Sequence, residues 1–193
     1  MRNKKEVQIP SLDALNAELQ RVKRKAQYRR ALRSTIDVLL IVAAVAVLIS
    51  SFFLPVMQIS GDSMEPVLTD GEIVVLIKTR SFQTGDLISF TWNNKTLLKR
   101  VIAGPGDWVT IDGDGSVYVN GELLDEPYVA EKGLGENDTE YPFQVPESCY
   151  WVMGDKRISS IDSRSSLIGC IHYDQIIGKV FVRIWPLFQF GKA

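Results

Sequence analysis

The sequence predicts an all-β domain, an antiparallel sheet system, preceded by one N-terminal transmembrane helix. Three observations lead there. Residues 38–56 read VLLIVAAVAVLISSFFLPV without a charge. After Gly71, short β-branched or aromatic runs alternate with Gly- and Asn-containing turns. No long amphipathic helical pattern follows residue 57.

The chain has 193 residues, 46% hydrophobic and 23% charged, which is globular composition with room for one domain and something small. A net charge of −1 argues against a nucleic-acid partner, whose binder carries a basic surplus. The total hides an asymmetry. Residues 1–37 hold ten Lys/Arg against four Asp/Glu, whereas residues 38–193 hold twelve against nineteen.

Residues 1–37 form the basic arm. Within it 11–33 reads as a helix: Pro10 sits just outside, Ser11 can cap, and Leu12, Leu15, Leu19, Val22 and Ala26 recur at helical spacing. Its cations suit anionic lipid headgroups, and a partner held by the leucine stripe is the alternative. The nineteen residues 38–56 follow as anchor. A helix of that length reaches about 28 Å, close to a hydrocarbon core. A cleavable signal has a shorter apolar core and starts earlier. A buried core helix would show polar relief on one face. Seven cations from Arg21 to Arg33 flank the N-terminal side, and the C-terminal side is uncharged until Asp62. The positive-inside rule then expects the arm in the cytoplasm and residues 57–193 outside.

Strands are expected at 72–78, 86–92, 96–103, 108–111, 116–120, 150–153 and 176–185. Asn93-Asn94 and Asn120-Gly121 are read as hairpin turns. Residues 125–148, with four acids between Glu131 and Glu140, read as a surface excursion. Two cysteines, Cys149 and Cys170, are too few for a disulfide scaffold, and free thiols are expected in preference to a pair. With no CxxC and the single histidine His172, neither a structural zinc nor a two-histidine metal site is expected.

Three stretches stand out from ordinary β-domain sequence. SGDSMEPVL (60–68) places Ser63 in a turn bounded by Gly61 and Pro66. In LLKRVIAGPGD (97–107), strand alternation puts Leu97, Lys99 and Val101 on one face and Leu98, Arg100 and Ile102 on the other. One of two adjacent cations must share an apolar face. If that is Lys99, desolvation disfavours its charged form and makes it a base near neutral pH, with a pKa of about 8–9. GDKRISSIDSR (154–164) crowds Asp155, Lys156, Arg157, Asp162 and Arg164 among three serines directly after an apolar strand. A buried Asp–Arg pair with serine hydroxyls would rigidify a cleft.

In this order, after an N-terminal span, the three motifs resemble the bacterial type I signal peptidases, membrane-bound serine proteases that remove signal peptides from exported proteins. The resemblance covers the anchor and almost all of residues 57–185. It implies Ser63 as nucleophile and Lys99 as general base, with no cofactor. It implies Ser160 as the serine that orients the lysine, and Asp162, Arg164, Asp155 and Arg157 as supports of the cleft. Met64 is implied near the substrate. The partners would be precursor proteins with small residues near the cleavage site, and the lipid bilayer. The location would be the bacterial cell membrane, N-terminus inside.

Elimination agrees, since a Ser-His-Asp triad would need His172, which lies in no motif, and a Ser-Lys dyad needs no histidine. The endoplasmic-reticulum branch of the family places histidine where Lys99 stands. Lys156 departs from the usual asparagine, Val67 from threonine, and Gly61 from a serine that helps hold the oxyanion in some members. The backbone N–H of Ser63 would then carry more of that task. From Val56 an extended chain to Ser63 spans at most about 25 Å, which tethers the nucleophile near the membrane. The aromatic tail from Trp185 to Phe190 either packs on the domain or dips into the interface. A self-cleaving repressor would need a DNA-binding segment, which residues 1–33 lack. A non-catalytic assembly factor for surface structures would be marked by loss of Ser63 or Lys99, and both are present.

Overall fold

A computed structural model describes residues 11–191, without the side chains of Ala14 and residues 49–53. Pro10, the rest of residues 1–10 and the last two residues lie outside the described residues.

The first unit is one helix, α1 (Leu12–Phe53), whose first backbone bond runs from Leu15 N–H to Ser11 O at 3.0 Å. Ser11 thus stands where the sequence places the cap. The arm helix and the apolar run are continuous, and Leu15–Leu48 contains a stretch of mean hydropathy 2.2. The described side chains between Val38 and Leu48 are exposed, so this is not the core helix of a soluble fold. The helix stops before Val56. Pro55 has no N–H to donate and disfavours helical geometry in the residue before it.

The second unit is all-β, and every strand pair is antiparallel. Its strands are β1 (Val56–Gln58), β2 (Ile73–Ile77), β3 (Leu87–Trp92), β4 (Lys95–Ala103), β5 (Trp108–Ile111), β6 (Val117–Val119), β7 (Glu122–Leu123), β8 (Phe143–Gln144), β9 (Cys149–Met153), β10 (Ile171–His172) and β11 (Ile176–Trp185). One sheet runs β1-β2-β11-β3-β4-β9-β10 and the other β7-β6-β5-β8. Strands β1, β8 and β10, of two or three residues, are too short for a periodicity to betray. Val56, read as the end of the anchor, is instead an edge residue paired with Val75.

Both expected hairpins close through two-residue turns. Asn93 and Asn94 take φ of 46° and 60°, and Asn120 and Gly121 take 55° and 84°. This left-handed pair matches the twist of the flanking strands, and Asn and Gly adopt it at least strain.

Three apolar clusters hold the sheets. Ile59, Met64, Leu68, Val74, Leu76, Leu87 and Leu98 form one, under the loop after β1. Phe82, Ile88, Phe90, Val101, Tyr150, Val152 and Ile171 form the second. The third joins β4, β9 and the smaller sheet around Trp151, with Phe143 at 4.7 Å between ring centroids. Strand β9 is buried at every position because its two faces serve different clusters. Cys149 and Cys170 are free, and burial pushes the Cys149 thiol up to about 11.

The 125–148 excursion is more than surface. Glu126 and the carbonyls of Gly133 and Leu134 bond buried arginines of the 154–164 loop, so the excursion straps that loop down.

Trp151 is 1% exposed at the meeting of both sheets. Trp151→Ala should lower the unfolding free energy by about 3–5 kcal/mol, read as a lower urea midpoint of the detergent-purified protein. A loss below about 1 kcal/mol would show that the smaller sheet does not depend on this contact.

Candidate active site

Ser63 sits in the loop between β1 and β2. Gly61, at φ 94°, turns the chain where a side chain would strain it, and its N–H donates to Asp70 Oδ1 at 2.8 Å. Glu65 N–H closes on Asp62 O at 3.0 Å, which puts Ser63 on a tight turn. Met64 and Leu68 are buried on either side of Glu65 and Pro66, so the loop is nailed to the core while Ser63 stays half-buried. Beyond it, Arg183 Nη1 donates to Val67 O at 3.0 Å and pairs with the buried Glu72.

Lys99 lies on β4 opposite Ile88, which belongs with Leu97 and Val101 to one cluster. It is 4% exposed, and its Nζ lies 2.7 Å from Ser63 Oγ. Burial lowers its pKa to about 8. The surrounding charges act in both directions: Asp162, Asp155 and Asp62 favour the ammonium, and Arg164 opposes it. Asp162 and Arg164 are an ion pair, so together they present little net charge, and desolvation decides the balance.

Alternation required one of the adjacent cations to share an apolar face, and both are buried. Arg100 survives burial by a bidentate bond to Asp155, 2.7 and 2.6 Å, by Gly85 O, and by the Tyr128 ring 4.0 Å below it. Arginine's fork and undissociable charge suit that place, whereas an amine can lose its proton.

The 154–164 loop forms the wall beside Lys99. Arg164 grips both oxygens of Asp162, at 2.8 and 2.9 Å, and donates to the carbonyls of Gly133, Leu134 and Arg157. Asp162 Oδ2 also accepts from Gly154 N–H at 2.9 Å and from the Ser160 hydroxyl at 2.7 Å. The Ser160 hydroxyl therefore bonds Asp162 here, while the lysine amine bonds Ser63. Arg157 pairs with Glu126 through both nitrogens and with Gly154 O.

Gly154 is where the loops cross. A Cβ there would stand 2.2 Å from Ser160 Oγ and 2.7 Å from Ser63 O, so only glycine fits. Sequence reading gave Gly154 no role, although it leads the third motif. Glu126 and Tyr128 gave no signal at all, because their partners lie roughly thirty residues away along the chain.

A cavity of about 80 Å3 adjoins the pair, lined by Met57, Ile59, Ser63, Met64, Leu98 and Lys99 among others. Two unpaired strand edges flank it. β1 is the sheet edge, and residues 96–99 of β4 pair only with β3, because β9 begins its pairing at Arg100. His172 is exposed and caps the short turn Tyr173–Gln175, its ring accepting from Asp174 N–H.

The family model described as signal peptidase, peptidase S26, matches residues 32–185. Signal peptidase I of Bacillus amyloliquefaciens is 34% identical over 182 residues, covering 89% of this chain and 97% of that protein. Signal peptidase IB of Staphylococcus aureus (strain Mu50) is 37% identical over 164 residues, covering 74% and 84%. A solved structure of a signal peptidase I from Enterococcus faecalis aligns at 28% identity and a TM-score of 0.45, covering 54% of this chain and 100% of that one.

Holding Lys99 in this pocket weakens the fold. With its folded pKa near 8 and an unfolded value near 10.5, the unfolded chain binds more protons between those values, so stability rises with pH across that window. Lys99→Met should therefore be more stable than wild type below pH 8, by up to about 3 kcal/mol, with the gap shrinking towards pH 10.5. Chemical denaturation at a series of pH values reads this directly. A gap independent of pH would mean that the amine keeps its ordinary pKa.

Proposed function

Because the chain belongs to the signal peptidase family, peptidase S26, we propose that Ser63 is its nucleophile and Lys99 its general base. It is a serine endopeptidase with an apolar helix for membrane anchoring. The observation that carries the dyad is the 2.7 Å contact between Ser63 Oγ and a buried amine whose pKa is near 8.

The chemistry follows from that contact. The neutral amine accepts the Ser63 proton as Oγ attacks the scissile carbonyl. The oxyanion is met by the Ser63 backbone N–H. The ammonium then gives its proton to the departing amine, which is the N-terminus of the mature protein. Water, activated by the same amine, releases the signal peptide from the ester. Ser160 would orient the amine, Asp162 and Arg164 fix the wall on which it rests, Asp155 ties that wall to Arg100 of β4, and Arg157 ties it to Glu126.

The substrate would be a precursor carrying a signal peptide. Its cleavage segment fits as an extended strand between β1 and residues 96–99 of β4, where both neighbours have free backbone groups. The cavity of about 80 Å3 beside Met64 is shallow, in keeping with small residues next to the scissile bond. The basic arm of residues 1–37 would stay cytoplasmic, the apolar end of α1 from residue 38 to 53 would anchor, and the sheet domain from Val56 onward would act outside. Substrate and enzyme then share one bilayer, which raises effective concentration without tight binding.

Ser63→Ala and Lys99→Ala should each abolish cleavage of a signal-peptide-bearing precursor while leaving folded protein, and His172→Ala should be silent. The kcat/KM of wild type should rise with pH through an acidic limb near 8, because the reactive form is the neutral amine. A limb near pH 6.5, lost in His172→Ala, would replace lysine with histidine as the base.

A further inference from the structure

Lys156 joins the two loops that meet at Ser63. Its ammonium lies 2.6 Å from Asp62 Oδ2 and 3.0 Å from Glu65 Oε2. Its backbone N–H donates to Ser63 O at 3.1 Å. One residue of the 154–164 loop thus grips positions 62, 63 and 65. Among the described residues no other cation pairs with either acid. On the other side of the nucleophile, Gly61 and Met64 are held by Asp70 and by the core.

We propose that Lys156 is a positioning residue for proteolysis, an ionic clamp that holds the turn of Ser63 against the loop beside Lys99. This rests on Ser63 as nucleophile and Lys99 as base. Half-exposed ion pairs stabilise a fold little, but a nucleophile displaced by a fraction of an ångström loses rate. The clamp therefore acts on turnover more than on stability.

It also has an electrostatic reach. The charges facing Lys99 are Asp62 from the nucleophile loop, and Asp155, Asp162 and Arg164 from the 154–164 loop. Lys156 holds the Asp62 carboxyl below its ordinary range by neutralising it at contact distance. Without that counter-ion the full Asp62 charge falls on the Lys99 amine and favours its ammonium form. The acidic limb of activity then moves to higher pH.

The test uses the full chain in detergent, a signal-peptide-bearing precursor, and Lys156→Met, Lys156→Arg and Ser63→Ala. Lys156→Met should lower kcat about three- to tenfold with KM unchanged within about twofold, and shift the acidic limb upward. Lys156→Arg, which reaches the same two carboxylates, should restore both. Ser63→Ala should be inactive throughout. Wild-type kcat and limb in Lys156→Met would overturn the clamp while leaving the dyad intact. So would a change confined to KM, or a loss in Lys156→Arg equal to that in Lys156→Met. An active Ser63→Ala would overturn the dyad first and the clamp with it.

Discussion

An amine taken out of water next to a serine hydroxyl is the constraint on which the rest of this domain depends. Lys99 would be almost wholly protonated in solvent, and a protonated amine cannot accept a proton from Ser63. Burial lowers its pKa to about 8, and its Nζ lies 2.7 Å from Ser63 Oγ, the contact on which the proposed proton transfer rests. The arrangement is unfavourable for folding. An apolar strand pair on one side and a rigid polar wall on the other keep it in place.

That wall explains a concentration of buried charge that would otherwise be odd in a small β domain. Arg100, Asp155, Arg157, Asp162 and Arg164 are all nearly inaccessible. Each has a partner of opposite sign, and the group fixes the surroundings of Lys99, whose pKa is set first by desolvation. Breaking such a pair leaves one uncompensated charge, which makes these residues intolerant of single change. The 125–148 excursion belongs to the same device, since Glu126 and two of its carbonyls complete the arginines' hydrogen bonds. Gly154 permits the Ser63 loop and the 154–164 loop to cross at backbone distance, and nothing larger fits.

Much of this was legible in the sequence, for local reasons. Charge-free residues 38–56, strand-length β-branched runs and the Asn93-Asn94 and Asn120-Gly121 turns carry their structure in nearest-neighbour chemistry. The motif order pointed to Ser63 and Lys99 together, and the structure gives the distance between them. What sequence could not reveal is long-range pairing. Arg100 finding Asp155, Arg157 finding Glu126, and Lys156 spanning Asp62 and Glu65 depend on contacts between distant segments. The continuity of α1 was also hidden. The arm and the apolar run differ in composition, although nothing between them breaks a helix, and Pro55 does so afterwards. Ser160 matched a lysine-orienting serine, and its hydroxyl is found on Asp162, one bond further along the wall.

The central claim is a protonation state, so the most direct measurement observes the amine itself. Isotopically labelled lysine, with the Lys99 signal assigned by its loss in Lys99→Arg, allows the side-chain resonance to be followed by NMR against pH in detergent. The account predicts a titration midpoint near 8, well below that of the exposed lysines. A midpoint near 10.5 would contradict it, because Lys99 would then be an ammonium ion at neutral pH and no base for Ser63.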